Sequence, residues 1–129
     1  MRLIGIDLGE KRVGIAVSDP GGSIAFPHSV KPRNEILLSL KSILTDYPDC
    51  AGFVLGLPKT LRGEMGHAAQ LTEAFAKELE VFEKPIHLWD ERLSTRAVSG
   101  VGAPQKSIDA LAAQFILQGY LDSQKSETT

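Results

Sequence analysis

Apolar residues fall along this chain in two rhythms: short unbroken runs, and longer segments in which they return every three or four positions. The first run, Leu3-Ile4-Gly5-Ile6, has too few polar positions for a strand with one wet face, so it predicts a central strand covered on both sides. It leads into Asp7, turns through Gly9 and returns as a second apolar strand ending near Asp19. Ile24 to Val30 predicts a third strand, which Pro27 places at a sheet edge or a bulge. From Asn34 to Tyr47, Ile36, Leu37, Leu40, Ile43 and Leu44 keep helical spacing, with Asn34 as N-cap and Pro48 as the stop. Ala51 to Gly56 reads as a short buried strand, followed by a loop from Leu57 to Gly63. A helix from about Gly66 to Phe82 carries the stripe Ala68, Leu71, Phe75, Leu79 and Phe82. Ile86 to Glu91 gives a fifth strand, and a turn-rich stretch through Gly100, Gly102 and Pro104 precedes a last helix over about Ser107 to Asp122. That helix is apolar on almost every side except at Asp109, Gln114 and Gln118, the pattern of a largely buried helix. Residues 123–129 are polar and predict a flexible tail.

The order βββαβαβα describes an α/β domain with a mixed five-stranded sheet. Three antiparallel strands come first, and the two reached through helical crossovers run parallel, with helices on the faces. A chain of 129 residues favours one domain, 1–122, with the tail beyond it. A net charge of −2 gives no global attraction to nucleic acid or to anionic membrane, so a polyanion site must be a local patch. The single cysteine, Cys50, excludes an internal disulfide and suits a reducing compartment as a small buried apolar group. No signal-peptide pattern is visible, and no apolar run approaches the roughly 20 residues of a membrane helix. A soluble, cytoplasmic protein without a membrane partner is the expectation.

In sheets with parallel strands, ligands gather at the carboxyl ends of the strands. Two apolar strands end in the carboxylates Asp7 and Glu91, and a third acid, Asp109, enters in the first turn of the last helix. A buried carboxylate is costly unless a cation or a donor meets it. Each has a local explanation: Asp7 accepting turn amides, Glu91 pairing with Arg92 or Arg96, and Asp109 facing the helix N-terminus behind Ser107 as cap. If the three converge, they need cations. Hard oxygen ligands without a thiolate favour magnesium or manganese, which keep water and substrate phosphate in their shells. One or two such ions serve phosphodiester hydrolysis, by activating a water and stabilising the leaving oxygen. Asp90 rivals Glu91, but strand alternation sends the two to opposite faces, so one of them at most belongs to the site.

Basic residues follow the acids. Lys11 and Arg12 come after the first carboxylate, Lys59 and Arg62 after the fourth strand, and Arg92 and Arg96 after the fifth. Together they could hold a phosphate backbone, although exposed Lys and Arg are ordinary surface. The turn Gly9-Glu10-Lys11-Arg12-Val13-Gly14 is no Walker A loop, since the Gly-Lys-Ser/Thr ending is absent. His28, His67 and His87 lack metal-ligand spacing and are assigned no role, and no Ser/His/Asp arrangement can be argued.

Four blocks, GIDLGEKRVGIAVSD, VLGLPKTLRGEMG, LWDERLST and IDALAAQFILQGYLD, resemble in that order those of the YqgF/RuvX family, bacterial nucleases of precursor 16S ribosomal RNA earlier described as Holliday junction resolvases. They span nearly the whole chain from Met1 to Asp122, and their joint occurrence is far more specific than any one block. The resemblance implies a ribonuclease H-like fold, with Asp7, Glu91 and Asp109 as the catalytic, metal-binding acids. It also implies that the Gly56-Leu57-Pro58 loop, Arg92 and Thr95 line the substrate groove. One departure matters: only Arg96 to Ser107 connects the third block to the fourth, shorter than is usual in the family by on the order of one or two helical turns. Lys106 is the one basic residue left beside Asp109.

The expected partner is therefore nucleic acid, RNA such as ribosomal precursor ahead of branched DNA, with ribosomal or RNA-processing partners alongside. Symmetric cutting of a four-way junction needs two active sites and hence a homodimer. Two other classes compete. The ATP-binding fold of sugar kinases, actin and Hsp70 chaperones shares a GIDLG-like first loop, but it closes two domains over nucleotide, and this chain has room for one. A non-catalytic RNA-binding module could keep the fold, but clustered negative charge does not help a surface bind phosphate.

Overall fold

The computed structural model describes residues 1–58, 66–90 and 105–127, with the side chains of 109–124 in the last of these. Five strands, β1 (Arg2–Leu8), β2 (Arg12–Ser18), β3 (Ala25–Pro32), β4 (Cys50–Leu57) and β5 (Ile86–Asp90), and three helices, α1 (Ile36–Asp46), α2 (His67–Leu79) and α3 (Gln105–Glu127), follow the expected order. The strands lie side by side as β3-β2-β1-β4-β5. β1, β2 and β3 pair antiparallel, whereas β4 runs parallel to β1 and β5 parallel to β4. The apolar run at Leu3 to Ile6 is thus the central strand. Pro27 lies on the edge strand β3 opposite Ala16, where the register shifts between Ile15 and Ala16, so both expectations for it hold together.

Strand alternation divides the core into two layers. Ile4, Ile6, Val13, Ile15, Val17, Phe53 and Leu55 pack on Ile36, Leu40 and Ile43 of α1 and on Phe75 and Leu79 of α2. The other face carries smaller residues, Ala16, Ala25 and Val54 with Leu3, and receives Ala113, Ile116, Leu117 and Leu121 of α3. At Gly5 an added Cβ would lie 2.7 Å from Leu117 Cβ and 3.0 Å from the Ala113 carbonyl, so the missing side chain lets α3 lie close against the sheet.

Several boundaries differ from the sequence reading. Asn34 is not the cap of α1: it lies in a 3-10 turn, Arg33–Glu35, and Glu35 takes the cap position without a side-chain bond. The Arg33 amide still donates to Lys11 O at 2.9 Å, so the β2–β3 ladder holds the chain until just before Asn34. α2 buries Ala69 and Thr72 with Phe75 and Leu79, whereas Leu71 is left 46% exposed. Thr72 can go inside because its hydroxyl donates to Ala68 O at 2.9 Å. Phe82 belongs to a separate 3-10 turn, Glu80–Phe82.

α3 starts at Gln105 and continues to Glu127, across positions where a frayed tail was expected. Ser107 is therefore inside the helix rather than capping it, and Asp109 lies beyond the first turn. The helix is not buried all round: Phe115 remains 38% exposed, because among the described residues α3 is the one helix packed on its side of the sheet. Its two glutamines have a structural task. Gln118 Oε1 accepts the Ala25 amide at 2.8 Å, its Nε2 donates to Ser23 O at 3.0 Å, and Gln114 Nε2 donates to Ala25 O at 3.0 Å. Among the described residues no helix is long and apolar enough to cross a membrane.

Candidate functional site

Asp7 takes its direction from the pleat of β1. Ile4 and Ile6 face α1 and α2, whereas Leu3 and Gly5 face α3, and Asp7 continues the second set. Its cross-strand partner is Gly14 of β2. A methyl group added at Gly14 would overlap the Asp109 carbonyl, so the backbone of α3 rests directly on the residue beside Asp7. Two acids 102 positions apart in the chain (109 − 7) are thereby brought to one face of the sheet. The Asp109 carboxylate is 18% exposed and accepts a hydrogen bond from Arg12 Nε at 3.1 Å, while the Arg12 side chain stays 44% exposed.

The turn between β1 and β2 shapes the rest. Gly9 donates its amide to Arg12 O at 2.9 Å, and a side chain at Gly9 would run into that same carbonyl. The tight turn sets Lys11 and Arg12 just past the acids, and an open cavity of about 350 Å³ is lined by Gly9, Glu10, Lys11, Arg12 and Asp109. Of the sequence-predicted residues the structure thus gathers Lys11, Arg12 and Asp109 around one opening and sets Asp7 on the same face of the sheet. It ties Arg12 to a carboxylate, where the sequence suggested phosphate.

Glu91, Arg92, Thr95 and Arg96, like Lys59 and Arg62, lie outside the described residues, and Lys106 is the second residue of α3 with its side chain outside them. Asp90 pairs with Leu57, which continues the Phe53 and Leu55 face, so it points away from the side that Asp7 takes. Among the described residues no group of three or more acid, histidine or cysteine side chains could hold a metal. Gly14 escaped the sequence reading as a positioning residue. The available signal was a glycine inside the apolar run Val13 to Val17, which marks close approach of another backbone.

Titration elsewhere follows local structure. The amides of Ile24 and Ser23 hold Asp19 below the usual carboxylate range, and burial pushes the Cys50 thiol up. Asp19 thus serves the β2–β3 turn, and Cys50 is the inert buried group expected of it.

Over residues 1–123 the chain matches the family described as "RuvX: Holliday junction resolvase". A relative from Syntrophomonas wolfei, named "Putative pre-16S rRNA nuclease", is 40% identical over 134 residues, covering 95% of this chain and 94% of that protein. One of the same name from Desulfitobacterium hafniense (strain DSM 10664 / DCB-2) is 42% identical over 132 residues, covering 95% and 92%. Among solved structures, Thermus thermophilus RuvC superposes with a TM-score of 0.61 at 15% identity, covering 98% of this chain and 97% of that one. The T. thermophilus RuvC in complex with a Holliday junction substrate gives 0.62 at 14% identity, covering 97% and 96%. At such identities the likeness is one of fold, and it accords with the ribonuclease H-like sheet order described above. The family match over residues 1–123, together with relatives of matching length at about 40% identity, shows that the chain belongs to the RuvX family.

Proposed function

We propose that the chain is a divalent-metal-dependent nuclease that hydrolyses phosphodiester bonds in ribosomal RNA precursor, at the 5′ end of 16S RNA, in the cytoplasm. The observation that carries this reading is the seating of Asp109 on Gly14, the cross-strand partner of Asp7. Nuclease action is supported by the relatives' names.

The donor set fits the metal that such a reaction needs. Asp7 and Asp109 are hard oxygen donors on one face, with neither thiolate nor imidazole among the residues lining the neighbouring cavity. Glu91 joins them on the family resemblance, and the three hold one or two magnesium or manganese ions. When bound, such an ion lowers the pKa of a water and stabilises the leaving oxygen. The chain's own residues do the rest. The carboxylates fix the position of the charge, and Arg12 offsets the negative charge of Asp109. Lys11 stands at the cavity rim for the phosphate backbone, and the sequence and the family resemblance add Lys59, Arg62, Arg92, Thr95, Arg96 and Lys106 as further nucleic-acid-binding residues.

Cleavage of branched DNA is the second reading, favoured by the family's description, and it requires a dimer. Both are tested with labelled precursor-type single-stranded RNA and a four-way DNA junction, offered to wild type and Asp7→Asn with manganese, magnesium or chelator. Metal-dependent cutting lost in Asp7→Asn is expected, with RNA the better substrate. Preference for the junction selects the second reading, and no cutting of either by folded protein overturns both.

A further inference from the structure

The end of β1 borders two cavities. Asp7 and Leu8 are consecutive, so the pleat sends them to opposite faces, and Leu8 lines a second cavity of about 290 Å³ on the α2 side. Ala68, Leu71 and Ala74 of α2 form its apolar wall, and Leu71 is 46% exposed there despite its size. His67 lines it too, as do Arg33 and Glu78, which form an ion pair at 3.4 Å. The turn residues Gly9 and Glu10 line both this cavity and the one beside Asp109. A further opening, lined by Glu10, Lys11, Arg33 and Asn34, joins the same turn and adds cationic surface. Apolar wall and charged groove are thus continuous around one tight turn, with Glu10 in the lining of all three openings.

We propose, building on the reading of the chain as an RNA nuclease, that this cavity receives one unpaired nucleobase of the substrate strand while a nearby phosphate lies on the Asp7 and Asp109 side. Size and chemistry agree. The volume sits at the lower end of the range for small-ligand pockets, enough for a nucleoside and too small for a helix or a folded peptide. The leucines and alanines take the faces of a base, the imidazole of His67 offers a stacking or hydrogen-bonding group, and Arg33 and Glu78 offer a donor and an acceptor to a base edge. Lys11 and Arg33, interleaved with Glu10 and Glu78, flank the apolar wall on the side proposed for the substrate backbone. A base held in duplex must first lose its pairing and stacking to turn into such a cavity, so the site favours single-stranded substrate over double-stranded.

The experiment uses the full chain carrying Asp7→Asn, which keeps RNA uncut. Single-stranded oligonucleotides bear 2-aminopurine at one position at a time, and a duplex of the same sequence serves for comparison. One position is expected to change fluorescence on binding. Adding Leu71→Asn or His67→Ala, both at exposed positions of α2, should abolish that change and weaken single-strand binding roughly five- to hundredfold, the range of one lost base contact. Duplex binding should stay unchanged, as should everything on adding Leu38→Asn, a leucine 72% exposed on α1 and outside the cavity. Unaltered fluorescence and affinity in both cavity variants, or equal weakening of duplex, overturns the inference and leaves the nuclease reading intact. Failure of the parent to bind any RNA overturns both.

Discussion

Gly5 and Gly14 both lack a side chain where α3 meets the sheet, but only Gly14 lies under Asp109. Gly14→Ala and Gly5→Ala should each cost about 1–3 kcal/mol in denaturant unfolding through overpacking. Cleavage by the folded fraction should fall steeply for Gly14→Ala alone, since it moves an acid, whereas Gly5→Ala presses on Leu117. Lys11→Ala should weaken RNA binding and reduce the slope of log affinity against log salt by about 0.7, the value of one phosphate contact on a single strand. A titration series at several salt concentrations measures it. His28 offers a prediction in pH. Burial holds its ring below the ordinary histidine value of 6.5, with Lys31 adding to the effect and Asp46 opposing it. The unfolded chain therefore binds more protons as pH falls through 6.5, so stability declines on acidification and levels off below the folded-state value. Denaturant midpoints on either side of 6.5 should show a smaller decline in His28→Asn than in wild type.

Among elements, what was legible in the sequence is what local periodicity controls. Five strands and three helices came out in order because period-2 and period-3.6 patterns reflect burial directly. The failures each have a distant cause. Asn34 lost its capping role to a ladder bond between Arg33 and Lys11, and α2 turned to bury Thr72 because a bond within the helix satisfied its hydroxyl. The acids at Asp7 and Asp109 were individually visible, yet their placement on one face depends on a glycine in a third element. Gln114 and Gln118 likewise looked like defects in an apolar helix, and instead they take up backbone groups at the start of β3. Gln118→Leu should therefore cost about 1–3 kcal/mol by leaving the Ala25 amide and Ser23 carbonyl without that partner. Hydrogen exchange at Ala25 should accelerate, with exchange in β4 changing much less.

At the scale of the whole molecule, one sheet serves two unlike surfaces. The α1 and α2 side holds the larger apolar core, and the α3 side holds small residues, the acids and Arg12. Among the described residues both surfaces reach the β1–β2 turn, so a single tight turn borders both the cavity beside Asp109 and the base-sized one. Contacts across the α3 layer also span great lengths of chain: Arg12 and Asp109 are separated by 97 positions, and Ala25 and Gln118 by 93. During synthesis, β1 and β2 leave the ribosome long before the helix that supplies Asp109, since chains emerge from the N-terminus onward. A nascent chain in which only β1 and β2 have emerged therefore holds Asp7 without Asp109, and the site proposed to trim precursor RNA stays incomplete until α3 closes over Gly14.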